Sequence, residues 1–343
     1  MTPSPFSLSG TGQVRWRVPL PGRHVVAVSA AADGMCFVTT EAGVAALDGP
    51  EVRWSADGGC VPLGGGRLVT FGADGYEVRD QRTGAVTSAV RMTLKSAPMP
   101  LADGSLVFPA AGSLLRAVTL TGEPRWEAEV PAPAWPFVWH DTVFVAERAA
   151  VRAFDRDGAA LWRAEPAGDI AGNLAGLPDG GVLVPVHGEE HTGYVVLGPG
   201  GELRPVPAHL PPGDLVVPLP TGRLVLPGWP ERDDVGEWRP TVSIVDGDSG
   251  AVVQHHRVPA DVRGIAAGAD GLIAVACSPT WDRWTKYHGW PGFDLTEDCC
   301  VLFLGEDGPR GTWTAGRPIT GPLAIAANGD LLIPVSGELI SLG

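Results

Sequence analysis

Thr121-Gly122-Glu123-Pro124-Arg125-Trp126 and Asp157-Gly158-Ala159-Ala160-Leu161-Trp162 are one device written twice: a polar residue and a glycine that turn the chain, then a short strand ending on tryptophan. Further copies stand at Thr11-Gly12 with Trp16, Asp48-Gly49 with Trp54 and Asp307-Gly308 with Trp313, and degenerate ones at Gly84, Gly201 and Gly250. The eight glycines follow one another at steps of 37, 35, 38, 36, 43, 49 and 58 residues. A recurrence near that of a four-stranded blade predicts an all-β chain, an eight-bladed β-propeller.

Within each repeat an apolar strand, a glycine turn, a β-branched strand, a second turn and an apolar strand ending near Asp precede the turn described above, which gives four strands per unit. In the first unit these fall at His24 to Ala30, Met35 to Thr40, Val44 to Leu47 and Val52 to Ser55. The sequence stops at Ser341-Leu342-Gly343, the stage of Leu47-Asp48-Gly49 in the first repeat, so the eighth unit lacks an outer strand. Residues 13–18 form an outer strand with no blade of its own and are expected to complete blade 8, closing the ring and covering an edge. Residues 1–343 are therefore read as a single propeller domain.

At its Asp/Thr-Gly-x-x-x-Trp units the chain resembles the PQQ-type repeat propellers, which are similar to WD40-like propellers and are the fold of quinoprotein dehydrogenases and of the eight-bladed outer-membrane assembly lipoprotein. The resemblance implies that each indole packs between neighbouring blades, where a large aromatic buries much area. It implies no activity, because one fold hosts unrelated functions. Ser88, Pro205 and Gln254 stand where Trp is expected, so those interfaces should pack differently.

Composition narrows the function classes. The 343 residues are 44% hydrophobic, enough for a large core, and 47 Gly with 33 Pro supply turns for many short strands. A net charge of −14 opposes nucleic-acid binding, which needs a basic surface, and opposes an anionic membrane surface. Lys95 and Lys286 are the only lysines, a skew that points to a bacterial genome rich in G and C. The N-terminal residues show no basic stretch followed by an apolar one, and five cysteines form no even framework, so a cytoplasmic setting is expected.

In a four-stranded blade the loop between the second and third strands opens at the same end as the connection to the next blade. Blades 5, 6 and 7 carry insertions there, at 188–193, 228–240 and 278–298. Five of the seven tryptophans outside the repeat period lie in the two longer ones: Trp229, Trp238, Trp281, Trp284 and Trp290, with Tyr287 and Phe293 beside them. These aromatics either pack on one another to stabilise long loops or form a binding platform. Rimmed by acids such as Asp294, such a platform suits a cationic group, a sugar ring or an Arg/Lys-bearing peptide. Trp229, Trp238, Trp281, Trp284, Tyr287, Trp290 and Asp294 are the candidate ligand-binding residues.

Chemistry-bearing motifs are sparse. His187-Gly188-Glu189-Glu190-His191 offers two imidazoles and two carboxylates, which makes His187 and His191 metal-ligand candidates, but no third ligand is specified. Gly247-Asp248-Ser249-Gly250 imitates a serine-protease segment yet is the sixth repeat turn. Cys299-Cys300 matches the vicinal pair of quinoprotein alcohol dehydrogenases, whose quinone and metal set has no residue-by-residue counterpart here; no cofactor is expected, PQQ included, and the two cysteines are read as one buried and one not. His255 and His256 are neighbours on a strand and point to opposite faces.

The expected function is a cytoplasmic binding or scaffold propeller, engaging a small molecule or a protein partner through the blade 5 to 7 insertions. The alternative is an enzyme of small-molecule or sugar metabolism with its active site at the axial mouth under the same insertions, and His187, His191, Asp282 or His288 as acid or base.

Overall fold

The computed structural model describes residues 12–343 apart from 23, 132–134, 189–191, 206–214, 233–237, 248, 250, 280–298 and 306–307. Among these there are no helices, and the strands assemble into eight antiparallel sheets, the blades of an eight-bladed β-propeller. Blade 1 comprises Val25–Ala30, Met35–Thr40, Gly43–Asp48 and Glu51–Ala56, each boundary within a residue of the sequence expectation. Blade 7 comprises Val262–Ala267, Ile273–Cys277, Cys300–Gly305 and Gly308–Thr314. In blade 5 the first strand is broken into Asp169–Ile170 and Ala175–Gly176, both paired with Val182–His187. No helix among the described residues is long and apolar enough to cross a membrane.

The chain divides into two compact units, residues 54–214 in one and residues 1–53 with 215–343 in the other. Within the second of these, Val14–Pro19 pairs with Glu338–Leu342, and blade 8 is completed by Leu331–Val335 and Ala324–Ile325. The N-terminal strand thus supplies the outer strand that the last repeat lacks. A charge pair reinforces the ladder: Arg15 Nε lies 3.0 Å from Oδ1 of Asp330, a carboxylate only 2% exposed, whose Oδ2 accepts the Ser341 hydroxyl at 2.8 Å. A buried carboxylate is costly without such partners, so residue 15 helps hold the closing strand in register.

Alternation along the strands builds a core from pairs of consecutive blades. Val107, Leu115 and Ala117 of blade 3 pack with Val143, Val145 and Phe154 of blade 4, and Phe144, Val151 and Ala153 of blade 4 pack with Val182, Val184 and Val195 of blade 5. A strand with apolar neighbours on both faces buries every side chain, whichever way it points. That explains Cys299 and Cys300, both of which are buried, against the expectation of one buried and one not. Cys300 packs with blade 6, while its strand neighbour Val301 packs with blade 8. All five cysteines are free thiols.

The repeat tryptophans join each blade to the turn of the next. Trp54, Trp126 and Trp162 donate their indole N–H to the carbonyls of Gln81, Arg156 and Pro199, at 2.9, 2.8 and 2.7 Å. The indole faces lie against Gly84, Gly158 and Gly201, where a Cβ would stand within 2.7, 2.6 and 2.8 Å of ring carbons. The same glycines have φ of +70°, +85° and +83°. Glycine is required twice over, for the left-handed turn and for contact with the ring. The indoles themselves are half-buried rather than engulfed, since one edge faces solvent.

Where tryptophan is missing, other groups fill the role. Ser88 donates its hydroxyl to Leu120 O at 3.3 Å, and the turn glycine Gly122 is covered by Val90. Gln254 Nε2 donates to Gly305 O at 3.4 Å, which reproduces the indole hydrogen bond without the ring. Pro205 ends the fourth strand of blade 5, opposite Val195.

Tyr76 adds a tie of another kind, its hydroxyl donating to Thr119 O in the next blade at 2.9 Å. Burial pushes its phenol up to about 12.

Two predictions follow from these contacts. Gly158→Ala is expected to cost about 2–5 kcal/mol, because a left-handed alanine costs about 1–2 kcal/mol and an overpacked ring contact about 1–3 kcal/mol. Trp126→Ala is expected to cost about 2–4 kcal/mol, and the double variant less than the sum, because removing the ring relieves the clash; urea unfolding midpoints check both the values and the coupling. For Tyr76, the folded chain holds the phenolic proton above the ordinary value of about 10, so this stabilisation is whole below pH 10 and is lost as pH rises toward 12. Absorbance at 295 nm should show a late-titrating phenol that Tyr76→Phe removes, and titration of every tyrosine near pH 10 would contradict the assignment.

Candidate functional site

Each blade presents the loop between its second and third strands beside the exit from its fourth. Among the described residues a backbone hydrogen bond joins the two in five blades, among them Val130 N to Ser113 O in blade 3, Val258 N to Pro240 O in blade 6 and Ala315 N to Cys299 O in blade 7. Side chains projecting from these loops are therefore held at one end of the blade.

Blade 6 carries the most developed such end. The sequence expectation was strands at Leu224 to Pro227 and Thr241 to Asp246 with an insertion between, but the strands continue into the insertion as Arg223–Arg232 and Trp238–Asp246. The ladder shifts register between Gly228 and Glu231 and then resumes with Glu231 opposite Arg239 and Arg232 opposite Trp238. At the shift, Gly228 leaves room for Thr241, whose Oγ1 would stand 2.3 Å from a Cβ and which donates to Trp229 O at 2.9 Å. Arg239 Nη1 donates to Pro259 O at 3.3 Å, which ties the hairpin to the exit of the blade.

Two indoles stand on this hairpin. Trp229 is 50% exposed and Trp238 is 63% exposed. The guanidinium carbon of Arg232 lies 5.2 Å from the Trp238 ring centroid, within cation–π range. Of the other candidate binding residues, Trp281, Trp284, Tyr287, Trp290 and Asp294 lie outside the described residues, as do the acid/base candidates Asp282 and His288.

The hairpin also brings together four residues that sequence reasoning did not connect. His255 lies 2.9 Å through Nδ1 from Ser243 Oγ and 3.1 Å through Nε2 from Glu231 Oε1, and Arg257 Nε stands 3.6 Å from Glu231 Oε2. With the carboxylate accepting from Nε2–H, a neutral His255 accepts the serine hydroxyl on Nδ1. These are the residue types and the proton order of a nucleophile triad, but Ser243 is fully buried, so no carbonyl reaches its oxygen. The line serves instead to hold the hairpin base on the blade. Only the strand extension reveals it, because Glu231 reads as loop in the sequence. His256 points to the other face, bonded to Gln254 Oε1 at 3.0 Å; burial and the neighbouring His255 hold it below the ordinary imidazole value.

In blade 5, His187 ends the second strand, exposed, opposite Thr192 and Asp169. Thr192 donates its hydroxyl to Gly188 O at 3.2 Å and meets His187 Nδ1 at 3.2 Å, which holds the ring at the strand end. Glu189, Glu190 and His191 lie outside the described residues. No cluster of three metal-ligating side chains occurs among the described residues.

Residues 77–188, about a third of the chain, match the family model described as outer membrane protein assembly factor BamB. The crystal structure of BamB from Moraxella catarrhalis superposes over 96% of this chain and 99% of its own, at 15% identity and a TM-score of 0.66. In fold the chain is a β-propeller similar to the PQQ-like repeat propellers. The streptogramin B lyase structure matches with a TM-score of 0.55 at 11% identity, over 98% of this chain and 96% of that one, and the WD40 propeller domain of Doa1 with 0.53 at 11%, over 96% of each. No curated protein matches the chain in sequence. At these identities the likeness is one of fold, and the names of these proteins span an assembly factor and a lyase, so the fold does not choose an activity.

Burial of Ser243 yields a direct expectation. A fluorophosphonate ester incubated with the folded protein should leave Ser243 unmodified, as read by peptide mass; an adduct there would show that the serine is reachable and activated.

Proposed function

We propose that this chain is a binding or scaffold propeller that engages a basic segment of a protein partner at the loop end of blade 6. One observation carries the reading: Trp229 and Trp238, half to two-thirds exposed, stand on a hairpin that is tied down at Thr241, Arg239 and Glu231. Exposed indoles on a rigid base lose little entropy on binding and are the residue type that most often dominates an interface. Arg232 over Trp238 shows the contact such a surface offers to a guanidinium. A net charge of −14 favours encounter with a cationic partner.

The family model over residues 77–188 is named for an assembly factor, which supports a binding reading. A cytoplasmic setting fits five free thiols.

Binding of arrayed Arg/Lys-rich peptides, measured by fluorescence anisotropy against neutral and acidic controls, tests the proposal. The wild type should select basic peptides, and Trp229→Ala combined with Trp238→Ala should weaken binding by about 30-fold or more, the loss of a hot spot of about 2 kcal/mol. The unfolding midpoint should stay within about 0.5 kcal/mol of wild type, since neither ring is in the core. Equal binding of all peptide classes, or full affinity in the double variant, would overturn the assignment.

A further inference from the structure

A cavity of about 250 Å³ opens where blades 7, 8 and 1 begin their first strands, all within the unit formed by residues 1–53 and 215–343. Arg263, on Val262–Ala267, and His24, just before Val25–Ala30, face it together with Thr320 from the segment entering blade 8. Pro279, Pro318 and Ile319 give it apolar walls.

The polar groups are held in place by one buried residue. Ser278 is fully buried; its carbonyl accepts Arg263 Nε at 3.2 Å, and its hydroxyl accepts Ile319 N–H at 3.2 Å while donating to Pro279 O at 3.2 Å. Guanidinium and wall are thus fastened to the same anchor before any ligand arrives, which lowers the cost of binding.

Thr320 supplies the second observation. Four buried side-chain atoms among the described residues lack a hydrogen-bond partner. Three of them face ions of opposite charge: Glu147 Oε1 meets Arg152 Nε at 2.5 Å, and Asp330 Oδ1 meets Arg15 Nε at 3.0 Å. The fourth, Thr320 Oγ1, has no such counterpart. A buried hydroxyl left unpaired costs about 1–3 kcal/mol, and Thr320 lines this cavity together with Arg263, so that a turn about its Cα–Cβ bond would bring the hydroxyl to a ligand there. Two carboxylates are near. Asp261 is half-exposed and meets Arg263 Nη2 only at 3.5 Å, and Glu41 accepts the His24 backbone N–H at 3.0 Å.

We propose that this cavity binds a small molecule through an oxyanion, a carboxylate or a phosphate, held by the Arg263 guanidinium and the Thr320 hydroxyl with His24 alongside. The apolar remainder of the ligand covers Pro279, Pro318 and Ile319. The volume lies below the range of about 300–1,000 Å³ that houses drug-sized ligands, which points to a small metabolite rather than a dinucleotide. The site is separate from the blade 6 hairpin.

Isothermal titration with inorganic phosphate, sulfate, acetate and benzoate, each against chloride at equal ionic strength, tests the site. The wild type should show saturable binding of one oxyanion class, phosphate and sulfate marking a phosphate-type ligand and benzoate above acetate marking a carboxylate with an apolar tail. Arg263→Gln should weaken that binding by about tenfold or more, the loss of a charge-assisted hydrogen bond. The near-isosteric Thr320→Val, which leaves the fold intact, should also weaken it severalfold. The variant lacking Trp229 and Trp238 should bind the anion as wild type does, so failure here and failure of the peptide surface are told apart. Absence of saturable binding by any of the four anions, or wild-type affinity in both Arg263→Gln and Thr320→Val, would overturn the proposal.

Discussion

The structure depends on a small contact made repeatedly: an indole from one blade lying on the glycine of the next blade's turn while its N–H is received by a carbonyl of that turn. A blade is a four-stranded sheet with two apolar faces and cannot bury either alone. Consecutive blades must meet at a fixed distance and tilt, and a flat ring with one directed donor sets both more tightly than aliphatic packing does. The cores shared by pairs of blades then fill the space that this contact defines.

The substitutions within the repeat show which part of the contact is indispensable. Gln254 preserves the donor and loses the ring; Ser88 also preserves a donor, and Val90 takes over the packing on Gly122. Hydrogen bonding to the turn carbonyl persists in these two cases, whereas Pro205 has no donor to offer, so two of the three altered positions keep the bond while changing the shape.

Much of this was legible in the chain because a repeat amplifies weak signals. One Asp-Gly or Thr-Gly turn is unremarkable, whereas eight turn glycines at near-constant spacing fix strand count, strand order and the need for Gln13 to Val18 to complete the last blade. The failures occurred where the period carries no information. Cys299 and Cys300 read as one inward and one outward residue because alternation alone cannot say that a strand is covered on both faces. The 228–240 segment read as loop because Pro230 and Gly228 interrupt the alternation, yet a register shift absorbs the interruption and the sheet continues. The approach of Glu231 to His255 and Ser243, and the cavity beside Arg263 and Thr320, join residues distant in sequence, and no local pattern marks them.

The marriage of the first strand to the last gives folding an order in time. During synthesis Val14–Pro19 leaves the ribosome more than 300 residues ahead of its partner Glu338–Leu342 and pairs only once that strand has been made. Until then two sheet edges stand open, one at each end of the growing array, and both are templates for pairing with a neighbouring molecule. The charged side chains of Arg15 and Arg17 on the waiting strand oppose such pairing, and in the finished protein the same two arginines meet Asp330 and Glu338. Residues that latch the closed ring are thus also the guards of the unfinished one.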